Sequence, residues 1–143
     1  MFLTGMMGKP VTEKIMRALT YEEALIIYRV KFWDSLHLSL LKDQQVATLI
    51  YDGAVNQGLS VARDAIRWAI RHGKGPVLNK VYTTKELIEI LNKLEQKLVH
   101  GLIWEYRLDK YKPGSVFYKG WVKRLEALRW QSGEFTPPEE GLV

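Results

Sequence analysis

The chain has 143 residues and a mass of 16.6 kDa, enough for one domain of ordinary size around a single core. A composition that is 47% hydrophobic and 26% charged, with five Trp, seven Tyr and four Phe, excludes a disordered or low-complexity chain. The absence of cysteine excludes disulfide scaffolds, thiolate-held metal sites and thiol nucleophiles.

The net charge of +5 is uneven, because residues 131–143 carry three Glu and no base. The rest of the chain is therefore basic enough to suit an anionic polymer, whether nucleic acid, lipid head groups or an acidic cell-wall glycan. No apolar run approaches the roughly eighteen residues of a membrane span, and residues 1–8 lack a basic n-region and a long h-region. The expectation is a protein without a signal peptide or transmembrane segment, cytoplasmic as synthesised.

Along the chain, 3.6-residue periodicity recurs and strand-like alternation does not, which predicts an all-α fold. Thr20 and Glu23 form a capping box that opens a helix to about Phe32, with Ala24, Ile27, Tyr28 and Lys31 at helical spacing. Trp33-Asp34 then reads as a buried aromatic followed by an N-cap, in preference to a catalytic carboxylate. Asp43 caps a second helix that runs to Gln57, Gly58 is its C-cap, and Ser60 caps a third through Arg71.

His72-Gly73-Lys74-Gly75-Pro76 breaks the chain. Thr83 and Glu86 form a second capping box, opening the longest pattern, with Leu87, Leu91, Leu94, Leu98 and Leu102 on one face and Gly101 as a bend or end. Ser115 caps a last helix from Val116 to about Trp130 that turns Phe117, Trp121, Leu125 and Leu128 inward. Residues 131–143 read as a flexible acidic tail.

Histidines 37, 72 and 100 are too far apart in sequence for any pair to have metal-ligand spacing, so no metal site is expected. No nucleotide fingerprint and no nucleophile elbow occurs. On the second helix Gln45, Thr48, Asp52 and Asn56 share one polar face. That face is either solvated or lines a cleft in which Asp52 and Asn56 bind sugar hydroxyls and acetamides, with Tyr51 beside them. Arg63, Arg67 and Arg71 form an i, i+4, i+8 ridge on the third helix, the rival signal of a helix-turn-helix nucleic-acid binder.

Three blocks carry a family resemblance: Glu23-Ala24 with Ile27-Tyr28-Arg29 and Phe32-Trp33-Asp34; Val46-Ala47 with Tyr51 through Gly58; and Tyr118-Lys119-Gly120-Trp121-Val122-Lys123-Arg124-Leu125. In this order, over about residues 18–128, the chain resembles glycoside hydrolase family 108 lysozymes with their C-terminal peptidoglycan-binding domain, proteins also described as secretion activators. The most specific block is Asp52-x-Ala54-Val55-Asn56-x-Gly58.

The resemblance implies a lysozyme-like helical domain over residues 1–130 that cleaves, as a muramidase, or binds the glycan strands of peptidoglycan, with no cofactor. The family's catalytic acid stands in a Glu-Gly-Gly-Tyr motif near the N-terminus, and that motif is absent here. Relative to the family the chain is N-terminally incomplete, and no catalytic residue is assigned, since Glu13, Glu22 and Glu23 are not substitutes. Either the chain is a shortened lysozyme or a remnant in which binding outlasts catalysis.

The substrate-binding residues this reading implies are Tyr51, Asp52, Asn56, Trp121 and Arg124. Tyr51 and Trp121 would supply stacking faces, and Arg124 would meet a carboxylate of the lactyl group or peptide stem. Trp121, on the inward stripe of the last helix, reads as core in preference to a platform. The site of action would be the bacterial cell wall or periplasm after release, for example by a phage holin.

Overall fold

The structure, a computed structural model, describes residues 20–137. Within them the chain is all-α: α1 (Tyr21–Tyr28), α2 (Gln44–Gln57), α3 (Leu59–His72), α4 (Thr84–Leu91), α5 (Gln96–Lys110) and α6 (Tyr118–Glu126). A π-helical segment, Arg29–Asp34, continues α1, and a 3-10 turn, Leu38–Leu40, precedes α2. The helices α2, α3 and α5 pack on one another to form the centre, and α4 closes onto α3. Val46, Ile50, Ile66, Ile70, Leu87 and Ile103 are all buried there.

Local signals explain most of the element ends. The Thr20 hydroxyl accepts the Glu23 N–H at 3.1 Å and so opens α1. Asp43 accepts from the backbone N–H groups of Gln45 and Val46, and the Thr83–Glu86 capping box is complete. Each satisfies donors that the first helical turn leaves orphaned.

Gly58 ends α2 at φ 100° and ψ 158°, a conformation that side chains resist, and its N–H bonds back to the Ala54 carbonyl. This one residue joins α2 to α3. Gly58→Ala is therefore expected to cost about 1–3 kcal/mol, read as a lower urea midpoint at unchanged slope.

Several expectations are corrected. Ser60 caps nothing, because α3 already starts at Leu59 and Gly58 holds the N-cap position. The Leu87–Leu102 stripe is two helices. Asn92 breaks it: its Oδ1 accepts the Lys42 N–H at 3.0 Å and its Nδ2 donates to the Leu40 carbonyl at 2.8 Å. Gln96 Nε2 donates to the Leu91 and Leu94 carbonyls, and Glu95 caps α5, which restarts the register. Leu98 is consequently exposed, and Gly101 lies inside α5 without ending it.

The last helix begins at Tyr118 and ends at Glu126, shorter than the stripe implied. Ser115 Oγ accepts the Phe117 N–H. Phe117 faces outward at 65% exposure, while Leu125 and Leu128 are buried. Asp34 is not an N-cap either. It ends the π-helical segment, exposed, 4.0 Å from Arg29 Nε, and Trp33 is only half-buried.

The first part of the acidic tail is held in place. Gln131 exchanges two hydrogen bonds with the Gln45 side chain, at 2.7 and 2.8 Å, and its own side chain exchanges two with the Thr136 backbone. Residues 1–19 and 138–143, including Glu13, lie outside the described residues. Among the described residues no helix is long and apolar enough to cross a membrane.

Candidate functional site

The polar face of α2 turns inward. Gln45, Thr48 and Asp52 are buried, Asp52 completely. Its Oδ1 accepts from Arg124 Nε at 2.8 Å and from Asn56 Nδ2 at 3.1 Å, and its Oδ2 accepts from Arg107 Nη2 at 2.8 Å. A buried carboxylate is stable only when paired and hydrogen-bonded in this way. Asp52 therefore offers a ligand no surface. Its place is the anion that gathers Arg107, Arg124 and Asn56, which corrects the expectation of a sugar contact.

Arg107 is nearly as buried as its partner. Its Nε donates to Gln57 Oε1 at 2.6 Å and its Nη1 to the Leu49 carbonyl at 3.1 Å, while Gln57 Nε2 returns a bond to the Arg107 carbonyl. The guanidinium crosses α2 directly at Gly53, where a Cβ would stand 3.0 Å from Arg107 Nε.

The order Asp52-Gly53-x-x-Asn56-Gln57-Gly58 thus has one physical account. It places an anion, a gap, two amides and a turn around an arginine from α5. Arg107 was not recognised in the sequence. Its signal was a charged residue four positions after Ile103 on the buried stripe of α5.

Two clefts flank this cluster. Tyr51 and Asn56 are five residues apart on α2, hence about 140° around the helix, and they open to different sides. The first cleft is an open groove of about 440 Å³ lined by Leu25, Arg29, Trp33, Gln44, Thr48, Tyr51 and Pro137. Trp33 and Tyr51 meet edge to face with ring centroids 5.3 Å apart, and Trp33 Nε1 donates to Ser39 Oγ at 2.7 Å, which orients the indole.

Burial raises the Tyr51 phenol above its ordinary 10.0, with the charge of Arg29 pulling it down and Tyr28 adding to the rise. It stays a neutral O–H, able to donate and accept. Asp34 stands at the rim beyond Arg29, exposed and salt-bridged. That is not the low-dielectric setting a general acid needs.

The second cleft, about 310 Å³, is lined by Asn56, Gln57, Val61, Lys110, Tyr111, Lys112, Ser115 and Trp121. Trp121 stacks on Tyr111 at 5.0 Å and touches Phe117 at 5.8 Å, so its ring is largely spoken for by aromatic neighbours. Of the expected binding residues, the structure brings Asn56 and Trp121 together, leaves Tyr51 in the other groove, and commits Asp52 and Arg124 to each other.

The arginine ridge is likewise redirected. Arg67 pairs with Asp64, and Arg67 and Arg71 line a small cleft with Leu78, Lys80, Val81, Tyr82 and Leu87. The loop before α4 therefore walls part of α3. A one-residue connection between α2 and α3 also departs from the three- or four-residue turn of a helix-turn-helix.

Comparison with known proteins finds a family match over the N-terminal part of the chain. Residues 3–58, which include every described groove residue except Pro137, match the family model Glycosyl hydrolase 108. This stretch is similar to the glycosyl hydrolase 108 family. The fold as a whole is similar to that in the "Structure of Brucella abortus SagA", with a TM-score of 0.68 at 21% identity, covering 90% of this chain and 72% of that one. No curated protein sequence matches significantly. The matched stretch ends at Gly58, where the chain turns into α3.

Proposed function

We propose that the chain binds peptidoglycan glycan strands, as a lysozyme-like domain at the bacterial cell wall, and that the Trp33–Tyr51 groove seats the strand. The observation that carries this reading is the groove itself. Inside the matched stretch it combines two aromatic rings with the amide of Gln44, the hydroxyls of Thr48 and Tyr51, and Arg29. Sugar rings offer apolar C–H faces and many hydroxyls, and such a wall meets both at once.

Cleavage of the strand needs a carboxylic acid within reach of the glycosidic oxygen. The described lining residues of the groove supply stacking and hydrogen bonding and include no carboxyl group. Binding is therefore the activity assigned to residues 20–137, with residues 1–130 as the wall-directed unit.

Cosedimentation with purified peptidoglycan sacculi tests the reading. Trp33→Ala is expected to weaken binding about two- to tenfold, since aromatic contacts of this kind are worth about 0.5–1.5 kcal/mol beyond the area they bury. Tyr51→Phe, which removes only the hydroxyl, is expected to weaken it less. Folded variants that sediment like the parent protein overturn the assignment of the groove. Release of new reducing ends that Asp34→Asn abolishes would put a catalytic carboxylate at its rim and replace binding by hydrolysis.

A further inference from the structure

The second cleft differs from the first in charge. Lys110 and Lys112 stand on its rim, the first at the end of α5 and the second two residues beyond it. Between residues 110 and 124, the segment that supplies most of its wall, there are five Lys or Arg and no acidic residue. Inside the cleft the Ser115 hydroxyl already accepts the Phe117 N–H, so its own proton is available to donate. The Asn56 amide nitrogen is held on Asp52, which leaves its oxygen as acceptor.

Val61, Tyr111 and Trp121 form an apolar floor beneath these groups. Tyr111 of this floor accepts from Arg107 Nη2 at 3.4 Å, and Asn56 beside it is held on Asp52.

From this arrangement we infer that the second cleft is a binding site for a carboxylate-bearing peptide, with Lys110 and Lys112 taking the carboxylates and the apolar floor taking short aliphatic side chains. Two features favour a peptide over a nucleic acid. A volume of about 310 Å³ fits a short ligand and not a tracked polymer strand. The stacked Tyr111–Trp121 pair covers the ring that bases would use.

Where the first groove holds a glycan strand, the carboxylates are those of the acidic peptide stem that branches from it, so this site would distinguish substituted wall glycan from a plain N-acetylglucosamine polymer. The naming of the stem rests on the glycan reading; the carboxylate site does not.

The test uses the full chain and five probes in titration calorimetry: a disaccharide carrying an acidic peptide stem, the same compound with its carboxylates amidated, the free acidic peptide, chitotetraose, and a single-stranded oligonucleotide. Amidation is expected to weaken binding about tenfold or more. The double substitution Lys110→Ala with Lys112→Ala is expected to remove that difference, and Lys→Arg at both positions to restore it. Binding of chitotetraose is expected to follow Trp33 and to ignore both lysines.

The free acidic peptide binding with the same lysine dependence supports the site with the peptide alone as its source, and its binding only when attached to sugar supports the stem. Equal affinity for acidic and amidated probes overturns the proposal, as does lysine-dependent binding of a single-stranded oligonucleotide without any of the peptide. Failure of chitotetraose to bind strikes the glycan groove and leaves the carboxylate site standing.

Discussion

Asp52→Ala is expected to destabilise the fold by about 3–5 kcal/mol, the usual result of removing one partner from a buried ion pair. The side chain is 1% exposed and stands between two guanidinium groups at 2.8 Å. Without it, Arg107, whose side chain is 2% exposed, keeps Gln57 and the Leu49 carbonyl but loses its counter-charge in a site that water does not reach. Arg124, at 29% exposure, can swing toward solvent, so the cost falls mainly on Arg107.

Asp52→Asn keeps the shape and loses the charge, and is expected to fall between the parent protein and Asp52→Ala. Urea unfolding followed by circular dichroism reads both as a lowered midpoint. A direct sugar-binding role for Asp52 predicts the opposite pattern, an unmoved midpoint with lost glycan binding. That pattern would overturn the account of the Asp52-Gly53-x-x-Asn56-Gln57-Gly58 order as a clamp on Arg107.

The same cluster shows where reading a sequence stops. The limits of α2 were legible because Asp43 and Gly58 act on their immediate neighbours, through bonds two, three and four residues away. Asn92 carries an equally decisive signal, yet its partners are the backbones of Leu40 and Lys42, some fifty residues earlier, so one leucine stripe concealed two helices.

Helical spacing did place Asp52 and Asn56 on one polar face. What covers that face is decided by α5 and α6, and only the tertiary structure brings Arg107 and Arg124 there. The family resemblance singles out Asp52 and Asn56 on α2, and the bonds they make to one another and to Arg107 and Arg124 are internal. The aromatic groove was half legible: Tyr51 was singled out for stacking, but Trp33 was read as core. The π-helical turn leaves it half-buried beside Tyr51. Phe117 went the other way. Its inward assignment depended on a helix starting at Val116, and α6 starts two residues later.

His100 gives the second large effect, and its sign follows from burial. The side chain is 2% exposed, in α5, with its ring edge to face with Trp130 at 5.4 Å. Desolvation lowers its pKa from 6.5 to about 4, against the opposing pull of Asp43 and a hydrogen bond to the Leu128 backbone. The folded protein therefore holds the neutral imidazole where the unfolded chain already binds a proton.

Between pH 6.5 and pH 4 the unfolded state carries more protons, so stability falls as the pH is lowered through that window and is fully present above it. The shift corresponds to at most about 3 kcal/mol between pH 7 and pH 4. Glu86 and Glu126, whose pKa values are lowered by bonds to Thr83 and to Arg129, add their own decline at the acidic end. The histidine's share is isolated by comparison with His100→Gln.

Urea unfolding at half-unit pH steps is expected to show the parent protein losing stability steadily below pH 6.5. The variant, less stable at pH 7, should show a much flatter profile down to about pH 4.5, so that the two curves converge in acid. Parallel curves would mean that His100 titrates alike in both states, and that the space beneath Trp130 admits the charged ring.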